Sequence, residues 1–570
     1  MFETQSINNA FKLPIEYNKN KNKISESIQE DLELKDKENT VSLYNYVYEP
    51  KSKIGKKILE KYADFYTDDI NYLQQTQNLI KKSDKFNPNE NSDEILTIWD
   101  DIKNDKGFLD RYHYVDIDYF KFLNSNALFL QILSLVNMSS PVISLTFPIM
   151  MLILPFFLIK LQDSKVTLSN YIKFLKIVIV QNSIGNLIVN FGSVSFDKKV
   201  YLSLSAGFYL FQIYESFSSC RRFYLNLTKI HKDIFMTRDF IYKTIENIDI
   251  HIEETKNYDK YHDFNIELKN NRSKLINLHN QLSKITPYKL NMEKAKGIGY
   301  LMKCFYDVYN DKDCNDSMLF AFGFMGYIET VKGLNENINK GHINICEYRT
   351  DKESSFKNSY YAPFKEKENV SNSYSLESNK LITGPNASGK TTILKTTIFN
   401  IILSQQVGFG FYTSANINPY KYIHCYLNIP DTSGRDSLFQ AEARRCKEIL
   451  DSVINNKERH FCIFDEIYSG TNPYEAISGA YAYLTFLSKY KNFKFMLTTH
   501  YVSLCEKVKK VKSIMNCHMN IDIDENKEFM YTYKLKKGIS SVKGGIKVFK
   551  DLDYPKDLIN KMQNNIDTAL

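Results

Sequence analysis

The stretch from Ser378 to Asn400, SNKLITGPNASGKTTILKTTIFN, constrains the fold of this 570-residue chain more than any other. A short apolar pair, Leu381-Ile382, runs into a Gly-rich turn. An amphipathic helix pattern leaves that turn, with Ile393, Leu394, Thr397, Ile398, Ile401 and Ile402 at helical spacing. The turn reads G-x-x-x-x-G-K-T from Gly384 to Thr391, a phosphate-binding loop pattern set between a strand and a helix. Glycines there let the backbone approach an anion where a Cβ would clash. The amides that open the helix point at the same anion. Lys390 is placed to reach the β- and γ-phosphates of a nucleotide, and the Thr391 hydroxyl to ligate Mg2+. The candidate cofactors are therefore ATP and Mg2+. The candidate binding residues are Gly384, Pro385, Asn386, Ala387, Ser388, Gly389, Lys390, Thr391 and Thr392.

A second constellation lies downstream. Phe461-Cys462-Ile463-Phe464-Asp465-Glu466 reads as a buried parallel strand that delivers two carboxylates at its C-terminal end. Asp465 is the candidate for holding Mg2+, and Glu466 for orienting or deprotonating the attacking water. A further strand, Lys494 to Thr499, delivers His500, whose imidazole can donate to a γ-phosphate or to that water. Glu466 and His500 are the candidate catalytic pair.

ITGPNASGKTT, DEIYSGTNPYEA and TTHY, in this order along the chain, resemble the ATPase domain of the MutS family within the wider ABC class. Gln406-Val407-Gly408 is similar to the family's Q-x-G. Ser433 to Phe439 with Glu442 is similar to its serine-bearing signature loop, and Tyr533 to Pro555 to its closing segment. The resemblance covers about residues 372–559. It implies that Ser437 reaches the γ-phosphate held by the other subunit of a homodimer. It also implies that Ser469-Gly470-Thr471-Asn472 crosses the dimer interface, and that DNA, mismatched or branched, is the object of the motion. Mismatch-reading members carry an F-x-E motif near their start. Here Phe364-Lys365-Glu366 and Phe464-Asp465-Glu466 match it only formally.

The rest of the chain divides by composition. Residues 1–105 are polar and read as a partly disordered N-terminal region. Residues 106–214 hold apolar helical segments. No charged residue occurs from Ala127 to Ile159, and Pro141, Pro148 and Pro155 recur inside that run, with Pro141 or Asn137 to Ser140 as its natural break. A second uncharged run covers Ile177 to Phe196. Such runs suit a membrane, which would make 127–196 an anchor, or else the core of a large helical shell. Residues 215–350 read as a charged helical lever region, in which Arg221, Arg222, Lys229, Lys232 and Arg238 could meet DNA phosphates. Residues 351–570 are the ATPase domain, opening on a linker at 351–378. The expected fold is an α/β C-terminal P-loop domain of ABC type, preceded by a mainly α-helical region with apolar helices. The net charge of +8 permits an anionic partner without requiring one. Nine scattered cysteines with no C-x-x-C pair favour a reducing, intracellular setting, with the ATPase on the cytoplasmic side of any membrane.

Overall fold

The computed structural model describes residues 4–37, 40–161, 167–181, 195–286, 297–367, 369–427, 437–523, 529–540, 549 and 552–568. The chain forms two compact units. Within the described residues the first comprises 94–242 and 273–318, and the second 4–93, 243–272 and 319–568.

The first unit is helical. Its apolar part is built from α1 (Ala127–Leu161), α2 (Leu168–Gln181) and the first part of α3 (Phe196–Thr255), a helix of 60 residues. α1 runs through its prolines without the break expected at Pro141. A proline leaves the carbonyl four residues earlier without its helical donor. In α1 hydroxyls take that place: Ser140 Oγ donates to the Asn137 carbonyl at 3.1 Å, four residues before Pro141. Tyr209 OH donates to the Ser144 carbonyl at 3.1 Å, four residues before Pro148. Among the described residues one segment, Ala127–Thr146, is long and apolar enough to cross a membrane. The second uncharged run falls largely on residues 182–194, outside the described residues.

The second unit contains a six-stranded sheet: β1 (Asn379–Thr383), β2 (Tyr422–Tyr426), β3 (His460–Asp465), β4 (Phe493–Thr499), β5 (Ile514–Ile523) and β6 (Phe529–Lys537). The strand order is β6-β5-β1-β4-β3-β2, parallel except for the β5–β6 pair. Phe461 to Phe464 and Phe495 to Leu497 are unbroken buried runs, as strands covered on both faces require. The parallel register aligns Asp465 with Thr498 and Thr499 with Thr383, so three strands end at one level. Helix α4 (Lys390–Val407) follows β1. It is buried nearly all round rather than along one stripe, so the amphipathic reading understates its burial: Thr396, Asn400, Gln405 and Gln406 are as sealed as Ile398. Gln406 Nε2 donates to the Tyr62 and Phe65 carbonyls, and its Oε1 accepts from Tyr44 OH at 3.0 Å.

Two expectations change here. The polar N-terminal region is folded. Its short helices Glu26–Asp31, Leu43–Tyr48, Lys53–Tyr62 and Ile70–Ile80 start at Ser25, Ser42, Ser52 and Asp69, whose side chains each accept from a backbone amide of the first turn. Composition hid the sparse aromatics that anchor them, such as Tyr48 stacked on Tyr62 at 4.3 Å and Tyr44 tilted against Phe399 at 5.7 Å. Residues 351–378 are not a linker either. They supply strands Ser355–Ser359 and Asn372–Ser375 to a separate five-stranded sheet with Ser414–Ile417, Asn344–Tyr348 and Phe409–Gly410. Phe356 and Tyr374 are buried beneath the polar residues that flank them.

Candidate active site

The loop between β1 and α4 turns through two left-handed residues, Ala387 at φ 60° and Gly389 at φ 90°. A side chain at Gly389 would be strained in that conformation. Ser388 Oγ donates to the Pro385 carbonyl at 2.8 Å, which closes the turn on itself. Lys390 opens α4 and is buried. Its ammonium donates to the carbonyls of Gly384 at 3.0 Å and Pro385 at 3.1 Å, and lies 3.1 Å from His500 Nε2. Burial pulls the Lys390 pKa down, and the nearby Glu466 and Asp465 carboxylates oppose that pull.

Asp465 leaves the end of β3 and receives two hydroxyls. Thr391 Oγ1 donates to its Oδ2 at 2.8 Å, and Thr498 Oγ1 donates to its Oδ1. Glu466, the next residue, is turned out of the sheet at φ 52°. Its Oε1 lies 3.0 Å from His500 Nε2. The His500 hydrogen bond holds the Glu466 pKa below the usual carboxylate range, with the Lys390 charge helping and burial opposing. His500 Nε2 faces both Glu466 and Lys390, and one nitrogen serves one of them at a time. Protonated, it donates to Glu466; bare, it accepts from Lys390.

Thr391 and Asp465 form a pair of hard oxygen donors beside the loop, the donor chemistry that Mg2+ takes when nucleotide phosphates complete its shell. Among the described residues no cluster of three His, Cys, Asp or Glu side chains forms a metal cage.

A cleft of about 640 Å3 opens at this point, lined by Asn386, Lys390, Thr391 and Glu466 on one side and by Tyr360, Tyr361, Phe364 and Tyr533 on another. Sequence reasoning missed Tyr360, Tyr361 and Phe364 because they sit in the stretch read as a linker. The signal was Tyr360-Tyr361 followed by Phe364 in an otherwise polar segment. Of the two formal F-x-E matches, Phe464 is sealed in β3 and Phe364 lines this cleft.

Ser437 is the N-cap of helix α5 (Leu438–Asn455), in a capping box with Gln440. Residues 428–436, and with them Ser433 to Asp436 of the signature loop, lie outside the described residues. One turn into α5, the buried Glu442 carboxylate accepts from Ser469 N at 3.0 Å, Ser469 Oγ at 2.9 Å and Gly470 N at 3.1 Å. It thereby ties α5 to the Ser469–Asn472 loop, a positioning role that the sequence reading did not assign. Gly470 is required there because a Cβ would stand 2.8 Å from the Phe439 amide. Asn472 then caps helix α6 (Pro473–Leu487) through the Glu475 amide at 3.0 Å.

The family model described as MutS domain V matches residues 380–569. The chain is 32% identical over 187 residues to the DNA mismatch repair protein MutS of Finegoldia magna. It is 30% identical over 184 residues to the protein of that name from Bacteroides fragilis, and 27% identical over 182 residues to that of Persephonella marina. Each match covers 32% of this chain and 20–21% of the relative, so the shared part is about a fifth of those proteins.

Proposed function

The chain belongs to the MutS family through residues 380–569, and on that footing we propose that it is a Mg2+-dependent ATPase whose nucleotide-driven homodimerisation acts on DNA. One observation carries the chemistry: Lys390, Thr391, Asp465, Glu466 and His500, drawn from three strand ends, are joined by the contacts Lys390–His500–Glu466 and Thr391–Asp465, and Lys390, Thr391 and Glu466 of this set line the cleft. In this reading the loop amides and Lys390 bind the phosphates. Thr391 and Asp465 hold Mg2+, which supplies charge neutralisation at the phosphates when bound. Glu466, kept ionised by His500, takes a proton from the attacking water, and His500 is left to orient that water or the γ-phosphate. Ser437 and the Ser469–Asn472 loop, linked by Glu442, supply the face that a second subunit would complete. The DNA handled would be mismatched or branched duplex.

The test is Glu466→Gln. Binding of ATP should persist while turnover falls by about a hundredfold or more, and light scattering should show an ATP-dependent dimer. Undiminished turnover would remove Glu466 from its role. Salt-sensitive retention of that dimer on duplex DNA would support DNA as its object, and the absence of retention at low salt would count against it.

A second reading keeps the ATPase and attaches it to a membrane, so that the same motion works on a bilayer-held part. The observation that favours it is the outward exposure of large apolar side chains along α1 and α3, among them Leu128, Val142, Met150, Phe208 and Tyr214. The basic residues suggested for DNA are in part already engaged: Lys232 pairs with Glu94, Arg222 with Glu215, and Arg238 with Asp239.

A further inference from the structure

Resting on that second reading, we infer that α1 and α3 insert their outward faces among the acyl chains of a phospholipid bilayer, with the lysines of α1, α2 and α3 at the headgroups. The argument starts from where polarity sits. α1 and the N-terminal part of α3 run antiparallel, as successive contacts show: Met138 with Cys220, Ser140 with Ser216, and Ser144 with Tyr209. The seam between them carries polar contacts. Ser144 Oγ and Ser216 Oγ are 2.9 Å apart, Ser140 Oγ meets the Ser216 carbonyl at 3.4 Å, and Cys220 Sγ meets the Met138 carbonyl at 3.4 Å. The outside is apolar, with Val142 61%, Met150 66% and Phe208 73% exposed.

This exterior is unlike that of a water-soluble bundle, which keeps its polar side chains outward. It is the arrangement expected in lipid, where small and hydroxylic residues join helices and the exterior is as apolar as its surroundings. The backbone follows the same rule. The carbonyls of Asn137 and Ser144, which the prolines leave without donors, are met by Ser140 and Tyr209 instead of depending on water.

A protein partner or a second copy of the chain would cover one face and leave a polar rim. Here consecutive positions are exposed, Val142 and Ile143, then Ile153 and Leu154, then Phe156 and Phe157, so the apolar surface is broader than one stripe. A fluid solvent covers such a surface and a folded partner does not. The charges agree with this. Lys160 closes the uncharged run of α1, Lys173 and Lys176 lie on α2, and Lys198 lies in the first turn of α3, and all four are exposed. Tyr171 OH reaches the Leu152 carbonyl, which sets α2 alongside the middle of α1. Its two lysines therefore need long side chains that reach to headgroups, which lysine supplies, and anionic lipid is the matching surface.

The experiment uses the full chain and the fact that Trp99 is its only tryptophan, fully buried within the first unit. Phe208→Trp adds a reporter on an outward face, with Trp99 as the internal reference. The variant is floated with vesicles of phosphatidylcholine and phosphatidylglycerol, then with vesicles whose acyl chains carry bromine. The expected result is flotation, with the added emission quenched at least about twofold and Trp99 unaffected. Flotation without quenching of position 208 would leave membrane attachment standing and overturn the insertion of these helices. No flotation, with the chain dispersed or self-associated in a detergent-free supernatant, would overturn both. A second variant, Phe208→Asp with Phe211→Asp, should lower flotation at least about tenfold, because charges placed among acyl chains are strongly disfavoured. Flotation that stays undiminished in this variant would also overturn the proposal.

Discussion

In the unit that carries the cleft, Phe464, Leu497 and Ile398 are sealed from solvent, and the amide side chains of α4 are paired. Asn400 Oδ1 accepts the Phe411 amide, and Gln405 Oε1 accepts the Tyr420 amide. In the apolar helices of the other unit, Phe208, Leu210 and Phe211 face outward while the serines face each other. In both places these polar side chains find partners, but the side chains on the outside differ. The cleft unit keeps its large apolar side chains inward, whereas α1 and the start of α3 turn many of theirs outward.

The sharpest way to break that comparison is to delete the same ring in each place. Phe464→Ala removes a fully buried side chain from the centre of β3 and should cost about 3–5 kcal/mol. Phe208→Ala removes a ring that touches little and should shift stability by less than about 0.5 kcal/mol. Denaturant melts of both variants in the same detergent measure the difference. Equal losses would mean that position 208 is packed like a core residue.

A second test asks whether polar burial in the cleft unit depends on complete pairing. The Lys365 ammonium is buried. It donates to Glu49, to the Tyr46 carbonyl at 2.8 Å and to Asn337 Oδ1 at 3.1 Å. Lys365→Ala strips three acceptors at once and should cost about 3 kcal/mol, read as a lower melting midpoint. Surface pairs such as Lys447–Asp451 should show about 0.5 kcal/mol or less.

How much of this was legible in the sequence follows from the same contrast. The strand-loop-helix around Gly384, the two carboxylates after Phe464 and the histidine after Thr499 were readable because unbroken apolar runs ended at chemistry-bearing residues. The N-terminal fold was hidden because its information lies in single side chains. A serine or aspartate starts each helix, and a few tyrosines are spaced among lysines and asparagines, so averaged polarity reads as disorder. The strands around Phe356 and Tyr374 were missed for a related reason: one buried ring per short strand does not make a visible alternation. Nothing local in the sequence announced that Glu442 would hold the Ser469–Gly470 loop, since that contact joins residues 27 and 28 positions apart.

A smaller effect separates the cleft unit from itself at different pH. His251 is fully buried among Phe86, Tyr261, Phe264, Phe324 and Tyr327, and burial pushes its pKa down to about 3. Burial does the same to His424, also to about 3, with the charges of His460 and Arg445 adding to it. Both are neutral in the folded chain, whereas in the unfolded chain they take up protons below about pH 6.5. Stability from each is therefore complete above that pH and is lost as the pH falls toward 3. The loss between pH 6.5 and 5 should be about 2 kcal/mol per histidine. His251→Leu should flatten the slope by about 1.4 kcal/mol per pH unit within that window, measured by urea midpoints across pH. An unchanged slope would mean that His251 is protonated in the fold.

The smallest effect on stability is the one that best separates cap from contact. Ser437 accepts the Gln440 amide at 3.3 Å and, as a helix N-cap, is worth about 1 kcal/mol. Ser437→Ala should lose that amount whether or not the residue does anything more. Aspartate is as good an N-cap as serine, so Ser437→Asp should keep the melting midpoint within a few tenths of a kcal/mol. If the hydroxyl also meets the γ-phosphate bound by a second subunit, the aspartate puts a carboxylate against that phosphate. Ser437→Asp should then lose ATP-dependent dimerisation in the Glu466→Gln background while its ATP affinity as a monomer is unchanged. A Ser437→Asp chain that still dimerises with ATP would leave Ser437 a cap and no more, and would move the partner-facing contact to the Ser469–Asn472 loop that Glu442 holds in place.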